Sequence, residues 1–182
     1  MTSPHRLIAT VTLLNIVGLF LLVSSGCGKS SDIDEQSVRE NNRAVGLMGQ
    51  YEYDEAAGIW QSLVTAHPLW TDGQVNLALA ILNRQKDGDE IAARQMLQDI
   101  TKKAKSNVRA QYLAGFLALR AGDDNEARTR FATVIELDPD DAYAWYHLGL
   151  STESLDQDKA YQAYCTAVEP VSYTHLTLPT KA

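Results

Sequence analysis

Apolar side chains between residues 108 and 139 recur every three to four positions. One stripe consists of Ala110, Leu113, Ala114, Leu117, Ala118 and Ala121, and the next of Ala127, Phe131, Val134 and Ile135. This spacing is that of an amphipathic α-helix. Gly122 separates the stripes, and Pro139 ends the second helix because it has no backbone N–H to donate. The pattern therefore predicts two helices joined by a tight turn.

The same unit recurs along the chain at a spacing close to 34 residues. The position of Gly115 is repeated by Ala44, Ala78 and Gly149, and that of Phe131 by Trp60, Leu97 and Tyr164. Ala44 and Ala78 are 34 residues apart, whereas Ala56 and Ala93 are 37 apart. A three-residue insertion therefore lies in 83–91, and one residue is lost near 155–159. A fixed period of this length predicts stacked helical hairpins, with small residues where helices approach and large ones between hairpins.

The repeated positions resemble the tetratricopeptide repeat family. Trp145, Leu148 and Gly149 carry the resemblance in a first helix, and Ala127 with Phe131 in a second. Ala56, Trp60, Pro68 and Pro139 match as well, while Lys105 replaces the closing proline of the middle unit. The resemblance implies an all-α, right-handed superhelical solenoid of antiparallel helix pairs over residues 37–169, with four hairpins and the last incomplete. An unrelated helical bundle is the alternative.

The resemblance also implies a concave face, lined by the first helices, that binds peptide segments of other proteins. The candidate binding residues are Asn42, Asn76, Arg109, Tyr112, Phe116, Arg120, Tyr143, Tyr146 and His147. The same face would include Asn41, Val45, Asp72, Val75, Leu79 and Leu150. Packing against a neighbouring repeat is the alternative role, above all for Phe116 and Leu79. A clamp of two asparagines and two lysines for a C-terminal carboxylate is absent, so that ligand is not predicted.

The N-terminal segment has the order of a secretory signal. Arg6 is followed by an apolar run over 7–23 and then by small residues. "VSSGC" resembles a bacterial lipobox, which implies lipidation of Cys27 after removal of 1–26, although Ser24 stands where leucine is usual. An uncleaved membrane anchor is the alternative. Both predict an exported, membrane-tethered chain with 27–36 as a polar tether. Gly28 after the cysteine favours the outer membrane, or the periplasmic face, in a two-membrane bacterium.

The C-terminal segment does not continue the repeat. Residues 171–182, "VSYTHLTLPTKA", alternate like a strand and contain no acidic residue. They resemble translated read-through of a transposase-based sequencing adaptor, and Pro170 comes two positions before the expected closing proline. We therefore interpret 170–182 as a non-native tail. A genuine C-terminal extension is the alternative.

Composition and charge narrow the possible functions. The chain has 16 basic and 23 acidic residues, a net charge of −7, which argues against general binding of nucleic acid. Its two cysteines, Cys27 and Cys165, make neither a disulfide framework nor a zinc site. No phosphate loop, serine elbow or paired His–Glu motif occurs, and Cys165 falls beside a packing position. We expect no enzyme activity, cofactor, metal or small-molecule substrate.

The sequence thus predicts a non-catalytic, membrane-tethered module that binds partner proteins. A second hypothesis comes from the segment over 41–85, which resembles the N-terminal repeat region of secreted bacterial proteins that continue into propeller-like modules. The array would then be the N-terminal docking arm of a larger protein.

Overall fold

The computed structural model describes residues 33–168, which form eight α-helices and no strand. The helices are α1 (Glu35–Gly49), α2 (Tyr53–Ala66), α3 (Thr71–Arg84), α4 (Asp89–Lys103), α5 (Val108–Arg120), α6 (Asp124–Leu137), α7 (Ala142–Thr152) and α8 (Gln157–Val168). None of these helices is both long and apolar enough to cross a bilayer. The predicted signal, lipidation site and adaptor-like tail lie outside the described residues.

Aspartate and asparagine side chains start most of the first helices. Asp34, Asn107 and Asp141 each accept a hydrogen bond from the backbone N–H three residues further on, at 2.8–2.9 Å. Such caps satisfy amides that have no partner inside the helix. Because Asp34 caps α1, the helix begins at Glu35. Residues 35 and 36, the last two of the predicted tether over 27–36, therefore belong to α1.

The three inserted residues are distributed around the turn between α3 and α4. Relative to the first hairpin, one residue extends the end of α3, one lengthens the turn and one extends the start of α4. Gln85 and Gly88 of this turn have φ angles of 57° and 85°, in the left-handed region. Arg84 donates two hydrogen bonds to the Asp89 carboxylate, at 2.6 and 2.9 Å. An ion pair between Arg84, at the end of α3, and Asp89, at the start of α4, thus bridges the longer turn.

The core runs through the array as a chain of similar clusters. Each cluster joins both helices of one hairpin to the first helix of the next, for example Ala127, Phe131 and Val134 of α6 with Ala144 of α7. The predicted inter-repeat positions Trp60, Leu97 and Phe131 are at most 2% exposed, while Tyr164 is half-buried. The described residues therefore form an all-α solenoid of four helical hairpins.

Small residues sit where paired helices touch. A Cβ atom on Gly149 would lie 2.4 Å from the Tyr164 ring, and one on Gly115 would lie 3.1 Å from Phe131. Ala44 and Ala78 hold the equivalent positions and are fully buried. The large residue of each second helix thus packs against the small residue of its own first helix.

Helix α1 differs from the first helices that follow it. Arg39 and Arg43 stand at the positions that Ala110 and Ala114 hold in α5, where the side chains are buried against α4. In α1 both arginines are solvated and paired, Arg39 with Glu35 and Arg43 with Glu55. The outer face of α1 is therefore charged.

Candidate partner-binding surface

A series of hydrogen bonds connects the first helices of three hairpins. The Trp60 indole Nε1 donates to Asn41 Oδ1 at 2.9 Å, and Asn76 Nδ2 donates to the same oxygen at 3.3 Å. Arg109 in turn donates to Asn76 Oδ1 at 2.7 Å. We call Asn41, Asn76 and Arg109 the polar ladder. It shows that α1, α3 and α5 lie side by side and form one continuous face.

The ladder has a defined polarity. An indole N–H and a guanidinium can only donate, so the amide oxygens of Asn41 and Asn76 must turn toward Trp60 and Arg109. One N–H of each amide is used on the face itself, since Asn76 donates to Asn41 and Asn41 donates to Asn42 Oδ1 at 3.5 Å. The second N–H of each amide and the remaining guanidinium donors of Arg109 are left to donate to a ligand. The face therefore offers hydrogen-bond donors, which fit the carbonyl and carboxylate oxygens of a bound chain.

The ladder leads to a cavity of about 340 Å³ between α3, α5 and α7. Its lining consists of Leu79, Val108, Arg109, Tyr112, Leu113, Asp141 and Tyr143. Aliphatic and aromatic walls with a few polar groups at the edge are typical of binding sites for organic ligands and side chains. Four of the residues predicted on the open face, Leu79, Arg109, Tyr112 and Tyr143, meet here.

The two charged residues at the cavity have different surroundings. Asp141 accepts the backbone N–H of Ala144 at 2.9 Å and caps α7, so the helix N-terminus compensates its charge. Arg109 has only the neutral amide of Asn76, and no carboxylate of residues 33–168 lies within 4.0 Å of it. Burial raises the pKa of the Tyr112 phenol, and the charge of Asp141 adds to this effect. Tyr112 thus forms a neutral side of the cavity. Arg109 is the charged side chain of the cavity that has no opposite charge beside it.

His147 is the centre of an aromatic cluster behind the cavity. Its ring stacks on Phe131 at 5.1 Å and meets Tyr112, Phe116 and Tyr146 edge-on. Its Nδ1 lies 2.7 Å from the backbone carbonyl of Tyr143, which can only accept, so Nδ1 carries the proton. His147 and Phe116 therefore support Tyr112 from behind, and neither lines the cavity.

The other predicted residues lie away from the cavity. Asn42 is exposed beside the ladder, and Tyr146 packs on Tyr164. Arg120 is 3.2 Å from Glu90 of α4 and about 16 Å along α5 from Arg109. Val75, expected on the open face, is fully buried among core residues, so that expectation was wrong. Its position faces α4 and α5 because tertiary packing sets the rotation of α3.

Three cavity residues were not predicted from the sequence, namely Val108, Leu113 and Asp141. Val108 lies one helical turn before Tyr112, so the helical period could have indicated it. Leu113 belongs to the apolar stripe that was assigned to the core. Asp141 is the residue that caps α7. No local pattern could show that it also borders a cavity.

Ser37, His67 and Asp34 meet at the start of α1. The Ser37 hydroxyl is 2.8 Å from His67 Nε2, and the Asp34 carboxylate is 3.6 Å from the same nitrogen. A catalytic triad requires the carboxylate on the opposite ring nitrogen. This arrangement instead fastens the α1 cap to the turn after α2. Within 33–168, no group of three or more His, Cys, Asp or Glu side chains is arranged to hold a metal ion.

The middle of the array matches a known repeat family. Residues 84–148 match the tetratricopeptide repeat family, a range that runs from the end of α3 into α7. This segment carries tetratricopeptide repeats, and the described helices as a whole have a tetratricopeptide-repeat-like all-α solenoid fold. No curated protein matches the chain.

Solved structures share the fold of this helical array at low sequence identity. A crystal structure of MamA is 20% identical with a TM-score of 0.63, covering 75% of this chain and 73% of that one. MamA 41-end from Desulfovibrio magneticus RS-1 is 21% identical with a TM-score of 0.64, covering 75% and 76%. The first such repeat region of Spaghetti (RPAP3), bound to the HSP90 peptide SRMEEVD, is 20% identical with a TM-score of 0.61, covering 68% and 98%.

The family match places the cavity inside the repeat framework. Every cavity residue except Leu79 falls within 84–148. The residues that carry the family resemblance in α6, Ala127 and Phe131, are fully buried in the core. The cavity is lined by other residues of the same segment.

Proposed function

We propose that this tetratricopeptide repeat protein is a non-catalytic interaction module that holds segments of partner proteins on the face formed by its first helices. The cavity lined by α3, α5 and α7 carries the proposal. A site shared by three consecutive hairpins fits an extended chain better than a small metabolite, because it continues into the donor groups of the ladder. The similar repeat region of Spaghetti, solved with a peptide, supports this reading.

A matched pair of double variants tests the surface. Arg109→Ala/Tyr143→Ala removes two exposed side chains from the cavity, where Tyr143 is 73% exposed. Arg39→Ala/Tyr161→Ala removes the same side chains elsewhere, with Tyr161 69% exposed. After crosslinking in cells and purification of full-length protein, we expect the first variant to lose partners that the second retains. Equal recovery by both variants would contradict the proposal.

We further propose that the array works outside the cytoplasm on a membrane tether. The support is the order of Arg6, the apolar run over 7–23 and Cys27 in the sequence. Expression in a bacterial host with labelled palmitate should label the wild type and Cys165→Ala, but not Cys27→Ala. Globomycin should block processing of the wild type. Unlabelled, uncleaved protein in the membrane fraction would favour an anchor, and protein in the cytosol would contradict both.

The alternative, a docking arm of a larger secreted protein, makes a different prediction about the gene. Re-reading the genomic locus beyond codon 169 would show a further folded domain in place of 170–182. The repeat array would then help to assemble that larger protein. Partner proteins would bind both the array and the further domain.

A further inference from the structure

The cavity and its rim define one ligand chemistry, and this inference rests on the function proposed above. We propose that the site takes an extended peptide segment in which a large apolar side chain enters the cavity and a neighbouring acidic side chain pairs with Arg109. The apolar part of the site is formed by Leu79, Val108 and Leu113, with Tyr112 and Tyr143 beside them. A volume of about 340 Å³ admits one such side chain and excludes a folded element.

The preference for an acidic residue next to the apolar one follows from the two charged residues of the cavity. The charge of Asp141 is already compensated, whereas that of Arg109 is not. Asp141 caps α7, so a basic ligand gains little by approaching it. Of the eight arginines in 33–168, six lie within 4.0 Å of a carboxylate. Arg128 donates to the Ser151 carbonyl at 2.6 Å, and Arg109 has only Asn76. Arg109 and Arg128 therefore lack an anionic partner among residues 33–168, and of the two only Arg109 lines the cavity.

Geometry places the acidic residue close to the apolar one. Arg109 is itself a lining residue of the cavity, and its fork is held at the rim by Asn76 at 2.7 Å. Successive residues of an extended segment are about 3.3 Å apart. A side chain in the cavity therefore leaves residues one or two positions away opposite Arg109. The second amide N–H of Asn76 and of Asn41, which neither uses in the ladder, can then donate to carbonyl groups further along the segment.

A peptide selection on the full-length protein in detergent micelles tests this. The random segments are displayed inside a scaffold loop, so that no free terminal carboxylate is present. We expect enrichment of Asp or Glu within two residues of Leu, Ile, Phe or Tyr. For a synthetic segment with the selected sequence, Glu→Gln should weaken binding about tenfold, as expected for loss of a charge-assisted hydrogen bond. Arg109→Gln should bind both forms equally, and Arg39→Gln should behave as the wild type.

The possible failures are distinguishable. If selected peptides lose binding to Arg109→Ala/Tyr143→Ala but show no acidic preference, the inference is wrong and the proposed function stands. If the Glu→Gln segment binds the wild type equally well, the inference is also wrong. If no peptide is enriched over a matched scaffold, or enrichment survives the double variant unchanged, the proposed function fails together with the inference.

Discussion

Arg94 of α4 donates a hydrogen bond of 3.1 Å to the backbone carbonyl of Leu117 in α5, across the boundary between two hairpins. Arg128 of α6 makes the same contact with Ser151 of α7 at 2.6 Å. Both donors and both acceptors are 34 residues apart, so the contact recurs at one repeat position, which Ala57 holds in α2. Each arginine meets carbonyl groups in the last turn of a first helix, where a positive charge is favourable.

Removing this contact should loosen the joint between hairpins. Arg94→Met and Arg128→Met keep the aliphatic stem but lose the donors, and each should lower the free energy of unfolding by about 1 kcal/mol. Urea unfolding followed by circular dichroism measures this. Arg39→Met is the control, because its exposed pair with Glu35 contributes at most about 0.5 kcal/mol. Equal effects at all three sites would mean that the contacts add nothing specific.

Gly149 should be required because its lack of a side chain makes room for the Tyr164 ring, and not because glycine makes the backbone flexible. Gly149→Ala places a methyl group 2.4 Å from Tyr164 in the absence of adjustment, and overpacking of this kind costs about 1–3 kcal/mol. Gly58→Ala is the control because nothing lies within 4 Å of its Cβ position. That substitution should stabilise α2 by up to about 1 kcal/mol, since alanine favours helices. Thermal unfolding should shift the two variants in opposite directions.

Asn41 should stabilise the fold because it satisfies a buried donor. The Trp60 ring is 2% exposed and its indole N–H donates to Asn41 Oδ1 at 2.9 Å. Asn41→Ala leaves that donor unsatisfied, which costs about 1–3 kcal/mol. The exposed neighbour Asn42 provides the matched control, and Asn42→Ala should change stability by less than about 0.5 kcal/mol. Chemical denaturation of both variants compares them, and a larger effect at Asn42 would contradict the observed ladder.

The turn between α3 and α4 should respond to acid. Hydrogen bonds from Arg84 lower the pKa of Asp89 from 3.8 to about 2. A carboxyl group whose pKa is lower in the folded state stabilises the fold above its unfolded pKa and loses that effect as the pH falls toward the folded value. The stability gap between the wild type and Asp89→Asn should therefore be full above pH 5 and should narrow between about pH 4 and 2.

Melting temperatures of both proteins across that range provide the measurement. The same comparison in an Arg84→Gln background is the control, because the largest cause of the lowered pKa is then absent. A gap that narrows to the same extent without Arg84 would show that another group controls the titration.

The repeat could be predicted from the sequence because its signals are local. Apolar periodicity, the stop at Pro139 and the small residue at Gly149 all act within one or two turns of the chain. One period fitted to many positions then fixed which helices pair. The position of the insertion followed from the same register.

The site could be predicted only in part because it depends on contacts between hairpins. The register placed Arg109, Tyr112 and Tyr143 on the open face, and the structure brings them to one cavity. The register could not show that Asn41 rather than Asn42 joins the ladder. Successive residues of a helix point about 100° apart, so a small rotation of α1 decides which one faces the ladder. Nor could the register show that Arg120 meets Glu90 of another hairpin. These outcomes depend on the rotation of each helix in its tertiary packing.

The charged outer face of α1 makes the two ends of the described array different as surfaces for a further hairpin. Arg39 and Arg43 would have to be replaced before another hairpin could stack ahead of α1. At the far side, Tyr161 of α8 occupies the position of Arg94 and Arg128, and with Val168 at 81% exposure it offers an apolar surface. A hairpin grafted after α8 would therefore meet an apolar surface, although Tyr161 could not make the contact that Arg94 and Arg128 make. A hairpin grafted before α1 would instead have to cover two charged side chains.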